Sequence, residues 1–136
     1  MVILSWDKLL ELHKNPPNIR IMRNDNIQLE YDKFIKYIKD NNIYINDYIY
    51  RKFLNDKKVN FTPNTFPYDI DHNCNHYIIW FDTIYFEELL KKNSQDEIIN
   101  YIVRTKFINN NYIYFENLNH NKSVLNVKHF HIFIKN

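Results

Sequence analysis

The period of the hydrophobic pattern changes once along this chain, and that change limits the folds open to it. After Asn24, residues Ile27, Tyr31, Phe34, Ile35 and Ile38 follow i, i+4, i+7, i+8, i+11, which predicts an amphipathic helix ending near Asn41 and Asn42. Ser5 is placed to cap a shorter helix over "WDKLLELHK", with Trp6, Leu9 and Leu10 on one face and Pro16-Pro17 stopping it. A third helix is expected from Asn46, with Ile49, Tyr50, Phe53 and Leu54 as its apolar side. Then "NFTPNTFPYD" reads as an irregular connection, and "HYIIWF" is the continuous apolar run of a buried strand. "SQDE", from Ser94 to Glu97, has the spacing of a capping box and opens a helix to about Lys106. "NYIYFEN" and "VKHFHIFI" follow as two strands. The expectation is one α+β domain over 1–136, with a helical half (1–58) packed on a small antiparallel sheet from a strand-helix-strand-strand core (60–136).

A chain of 136 residues with 45% apolar and 17% aromatic residues can bury a core without metal or disulfide staples. Its net charge of +2 gives no bulk electrostatic argument for nucleic acid or a membrane surface, so an anionic ligand must be held locally. The single cysteine, Cys74, excludes an internal disulfide framework and agrees with a reducing compartment. No apolar run reaches the roughly 18 residues of a membrane span, and "MVILSWDKLLELHK" is too short and too charged for a signal peptide. A cytoplasmic protein with no membrane partner is therefore expected. Glycine is absent and Asn is abundant, scattered among periodic apolar positions. That bias fits codon drift in an AT-rich genome, such as that of a virus, and not a prion-like domain.

Chemistry concentrates in three stretches that each abut a strand: residues 64–80, 114–124 and 128–135. On the closing strand, His129 and His131 point to one face, about 7 Å apart, while Phe130, Ile132 and Ile134 point to the other. That histidine face is either a solvated edge or the floor of a site. "HNCNH" alternates His72, Cys74 and His76, but it lacks the usual zinc-ligand spacings, and neither a metal nor a cofactor is expected. Tyr68 and Trp80 are candidates to stack on a base or sugar, against the alternative of core packing. Arg104 closes a helix, where it would meet a phosphate or satisfy helix-end carbonyls. Lys52, Lys57 and Lys58 read as a solvated helix end.

Ser5-Trp6, then Asn64 with Phe66-Pro67-Tyr68, His76 and Trp80, "IVRT", "YFEN", Lys122-Ser123-Val124, His129 and His131 run in one order along nearly the whole chain. In that order the sequence resembles an uncharacterised family that includes the fungal N-acetylglucosamine-induced proteins. Asp69 and Asn73 stand where that family usually has glycine. The C-terminal order also resembles, more weakly, the histidine-triad (HIT) superfamily of nucleotide hydrolases and transferases. That resemblance implies a HIT-like sheet and phosphate-side roles for Asn117 and Ser123. It makes His129 the central, nucleophilic histidine and His131 the last one, with Val127 where the first would be. A register shifted by one pair would instead make His131 central and replace the last histidine by Phe133. His76 is the candidate to stand in for the missing ring.

The expected function is a HIT-like nucleotide or nucleotide-sugar binding protein, with a phosphoester hydrolase or transferase activity resting on His129, His131 and His76 and ligand contacts from Asn64, Tyr68, Trp80, Arg104, Asn117 and Ser123. The alternatives are a non-catalytic ligand-binding module and a protein-interaction factor working through the aromatic helical half. HIT proteins often dimerise, which leaves a homo-oligomer open.

Overall fold

The computed structural model describes residues 3–16, 21–117 and 127–136. The N-terminal half is helical: α1 (Trp6–Lys14), α2 (Asp25–Asp40) and α3 (Ile45–Ile49), which runs directly into a π-helical turn, Tyr50–Leu54. Both longer helices start where a side-chain oxygen can take an orphan amide. Ser5 Oγ accepts from Lys8 N–H at 3.2 Å, and Asn24 Oδ1 accepts from Ile27 N–H at 2.9 Å. Two residues expected on apolar faces lie outside. Leu10 is exposed because α1 buries only the stripe through Leu9, which packs with Ile113 and Phe133 of the sheet. Tyr50 is exposed as well, its hydroxyl donating to Asp82 Oδ2 at 3.0 Å.

The second half adds β1 (Val59–Pro63), β2 (Cys74–Phe81), α4 (Thr83–Leu90), α5 (Gln95–Arg104), β3 (Tyr112–Phe115) and β4 (Lys128–Lys135). The four strands form one antiparallel sheet in the order β1-β2-β4-β3, giving an α+β fold. Strand β1 lies inside the stretch expected to be irregular. Its proline, Pro63, sits at the end of an edge strand, where a missing N–H costs no ladder bond. Helix α4 was not expected either; it is short, and Asp82 starts it by accepting from Tyr85 N–H at 3.1 Å. The capping box of α5 is present in both directions between Ser94 and Glu97.

Strand alternation divides the sheet into two buried faces. Phe61, Ile79 and Phe81 face the same way as Phe130, Ile132 and Ile134, and they pack with Phe86 of α4 and Ile98, Ile99 and Val103 of α5. The opposite face carries His76, Ile78 and Trp80 of β2 across from Phe133, His131 and His129 of β4. The N-terminal helices cover this second face. Ile49 and Leu54 pack on Ile78, Trp80 and Val127. The histidine strand is therefore not a solvated edge: both of its faces are roofed by helices, and the imidazoles lie beneath the helical half. Among the described residues, no helix is long and apolar enough to cross a membrane.

Candidate functional site

The antiparallel register decides which rings meet. His76 is directly across from Phe133, so its diagonal neighbour on the same face is His131. Their rings touch, with His76 Nε2 2.9 Å from His131 Nδ1. All three strand histidines are buried, at 5–6% exposure, yet among the described residues no buried side-chain nitrogen or oxygen lacks a hydrogen-bond partner.

The protons in this cluster are ordered by one obligate donor. The backbone N–H of Tyr68 points at His76 Nδ1 at 3.1 Å, so Nδ1 must accept and the neutral ring carries its proton on Nε2. That proton is donated to His131 Nδ1, which puts the His131 proton on its own Nε2. Asn117 Nδ2 donates to the Tyr68 hydroxyl at 2.9 Å and lies 3.1 Å from this Nε2, and the Tyr68 hydroxyl oxygen, 3.4 Å away, is the acceptor within reach of the His131 proton. Burial, with the nearby Arg23 guanidinium as a second cause, pushes His76 down to about 3 and holds it neutral. His129 is set separately. Its Nδ1 is 2.8 Å from the carbonyl oxygen of Val127, which can only accept, so Nδ1 carries the proton and Nε2 the lone pair.

These groups form the floor of a cavity of about 120 Å³. Asn64, Tyr68, Trp80, Asn117, His129 and His131 line it. His76 stands directly behind His131 and Tyr68. Asn64 shapes the rim through its own turn, Oδ1 accepting from Phe66 N–H at 2.9 Å, while its Nδ2 rests 3.3–3.4 Å from the His76 ring nitrogens. Trp80 lies stacked against Phe53, with ring centroids 5.2 Å apart, and tilted on His129 at 4.8 Å.

Arg104 is not brought to this cavity. Its Nη1 donates to the carbonyls of Phe107 and Asn110 at 2.9 and 2.8 Å, so it closes the turn after α5 beyond the other face of the sheet. Ser123, with the rest of Lys122-Ser123-Val124, lies outside the described residues. His72 is exposed, Cys74 is buried beside Asn73, and no three His, Cys, Asp or Glu side chains gather as a metal cluster among the described residues.

The roof supplies residues that the sequence did not single out for the site. Arg23 holds its guanidinium 4.1 Å from the Tyr31 ring centre and 5.3 Å from that of Tyr68, with Nε donating to Phe66 O at 2.8 Å. Lys52 is exposed at the helix end, as expected, with its ammonium 5.6 Å from the ring centres of both Tyr48 and Phe53. Between these cations, Phe34 leans on Tyr48 at 5.3 Å and on Phe66 at 5.4 Å. A belt of aromatic rings, joined at two points by cations, thus surrounds the opening.

The chain matches over residues 5–135 the family described as "Protein of unknown function (DUF3605)". It belongs to this family. Within DUF3605, the matched span includes every candidate residue named above. No curated protein sequence matches the chain. Among solved structures it is similar to one described as "Crystal Structure of HTC1", with a TM-score of 0.67 at 15% identity, over 98% of this chain and 85% of the other. At that identity the likeness shows a shared fold.

Proposed function

We propose that this DUF3605 protein binds a nucleotide or nucleotide-sugar in a HIT-like manner and uses His129 as the nucleophile on its phosphate ester. The observation that carries this reading is the bond from His129 Nδ1 to the Val127 carbonyl, which presents the Nε2 lone pair in the reactive tautomer. In the step proposed, Nε2 attacks phosphorus, and the bond to the leaving oxygen breaks with its electron pair going to that oxygen. Water or an acceptor hydroxyl then attacks phosphorus, its proton passing to the expelled oxygen or to solvent, and the P–N bond breaks with its electron pair returning to Nε2. The Arg23 guanidinium, on the cavity lining, is suited to pair with the phosphate oxygens as charge builds there, whereas the Nε2 of His131 is already engaged at Tyr68 and Asn117. His76 supports this by fixing the His131 tautomer, so it acts as a positioning residue.

Phosphorus NMR of the wild type and His129→Ala against a panel of nucleotides and nucleotide-sugars tests the reading. Turnover by the wild type that disappears in His129→Ala, with binding retained, is the expected result. Saturable binding without turnover in the wild type would refute the nucleophile and leave a non-catalytic binding module. The 6% exposure of His129 is the observation that favours this second reading.

A further inference from the structure

Asn117 reaches the cavity from a part of the chain that the sheet ladder no longer holds. β3 is a four-residue edge strand, and its pairing with β4 ends at Phe115, across from His131. The Phe115 ring lies against His131, so by alternation Glu116 turns to the opposite face and Asn117 returns to the histidines. A strand end with no further cross-strand bond frays, yet Asn117 Nδ2 is held 2.9 Å from the Tyr68 hydroxyl and 3.1 Å from His131 Nε2. Something other than the ladder must continue the strand for two residues.

Glu116 supplies it. Both of its carboxylate oxygens lie on the Lys128 ammonium, Oε1 at 3.0 Å and Oε2 at 2.9 Å, and each side chain is only 26% exposed. Lys128 is the first residue of β4 and is itself fixed. Its backbone N–H donates to Thr83 Oγ1 at 3.3 Å, and its ammonium lies 5.3 and 5.2 Å from the ring centres of Phe86 and Phe130. Against that wall of rings the attraction is only partly screened by water, unlike that of an exposed pair such as Lys8–Glu11. The ion pair therefore joins, behind the strands, the residue before Asn117 to the residue before His129.

We propose that Glu116 and Lys128 are positioning residues for the site, their ion pair holding Asn117 against the Tyr68 hydroxyl and His131 from outside the cavity. Their part in the reaction rests on the nucleotide reading above, whereas the positioning itself is tested in the ligand-free protein. Side-chain nitrogen relaxation NMR of the full chain measures it. The Asn117 amide is expected to show an order parameter of about 0.85 in the wild type and below about 0.6 in Lys128→Met, which keeps the apolar stem over Phe86 and Phe130 but not the charge. Glu116→Gln should loosen Asn117 in the same direction, and Lys128→Arg, which keeps the charge, should leave it ordered. Two groups serve as controls that a general defect would move. The Asn64 amide is fixed through Phe66 N–H, and His129 takes its tautomer from Val127, which packs on Leu54 and Trp80. Both should be unchanged. Asn117 staying ordered in Lys128→Met and Glu116→Gln, loosening as much in Lys128→Arg, or Asn64 loosening alongside it would each overturn the proposal. A nucleotide that the wild type turns over should be turned over at least about tenfold more slowly by Lys128→Met and at close to the wild-type rate by Lys128→Arg. Equal rates in all three would deny the pair its part in the reaction. No turnover by the wild type would instead remove the nucleotide reading and leave the order parameters to decide the positioning.

Discussion

His76 is neutral and enclosed in the folded protein but an ordinary histidine once the chain unfolds, so folding must be linked to pH through this ring. Burial and Arg23 take it from 6.5 to about 3. Above pH 6.5 neither state holds the extra proton and the ring contributes no pH dependence. Between 6.5 and 3 the unfolded chain binds a proton that the native chain refuses, so stability falls as the pH falls, at up to about 1.4 kcal/mol per unit. The loss stops below 3, where both states are protonated. At pH 5 the ring stands about 1.5 units below its unfolded midpoint, which corresponds to a loss of about 2 kcal/mol. The informative quantity is the difference between wild type and His76→Gln, which isolates this ring. Glutamine has an acceptor for Tyr68 N–H and a donor for His131 but no titration in this range. Urea unfolding of both proteins at pH 7.5 and pH 5 should show the wild type losing about 2 kcal/mol more than the variant. Equal losses in the two proteins would mean that His76 is protonated in the native state, and the proton order deduced for His76 and His131 would fall with it.

That proton order can also be read directly. Long-range nitrogen–proton NMR at pH 7.5 is expected to find the Nε2–H tautomer at His76 and His131 and the Nδ1–H tautomer at His129; an Nε2–H pattern at His129 would contradict its bond to Val127. Removing the N-cap of α5 with Ser94→Ala should cost about 1 kcal/mol in urea unfolding and leave ligand binding unchanged, since this cap lies on the helix that packs on the other face of the sheet. A loss of ligand affinity in that variant would mean that the two faces of the sheet are coupled.

What could be read from the sequence, and what could not, follows from the range of the interactions involved. Helix α2, the α5 capping box, and strands β2 and β4 are declared by local pattern, and all four formed as expected. The shared direction of His129 and His131 is likewise a property of one strand. Strand β1 was hidden because Asn60 and Pro63 carry turn signals, which its pairing with β2 overrides. The aromatic belt could not be separated from core, because Phe34, Tyr48 and Phe53 show the same helical spacing whether they face hydrocarbon or a cavity. Arg23 and Lys52 needed the helical half to be docked on the sheet before they could be assigned to the opening. Glycine substitution was legible only in kind. Asn and Asp do take the positive-φ positions, but at Asn42, Asn55 and Asp56, and not at Asp69 or Asn73.

The placement of Asn55 and Asp56 bears on how the roof reaches the site. Tyr50–Leu54 is wound as a π turn, closed by Asn55 N–H donating to Tyr50 O at 2.8 Å, and the chain then enters β1 at Val59. The left-handed residues Asn55 and Asp56 end the helix abruptly, so Phe53 stays stacked on Trp80, with Lys52 near the Phe53 ring, while the backbone turns back into the edge strand. Asn60 fastens this turn from the sheet side, its Nδ2 donating to Phe53 O. On β4, the position that a HIT triad would fill with its first histidine holds Val127, whose side chain packs with Leu54 and Trp80 of this same region. In the proposed reading the backbone carbonyl of that position orients His129, a task that any residue can perform, and the third imidazole comes from His76 across the strands. The valine can therefore bind the roof to the floor without removing the contact on which the nucleophile depends.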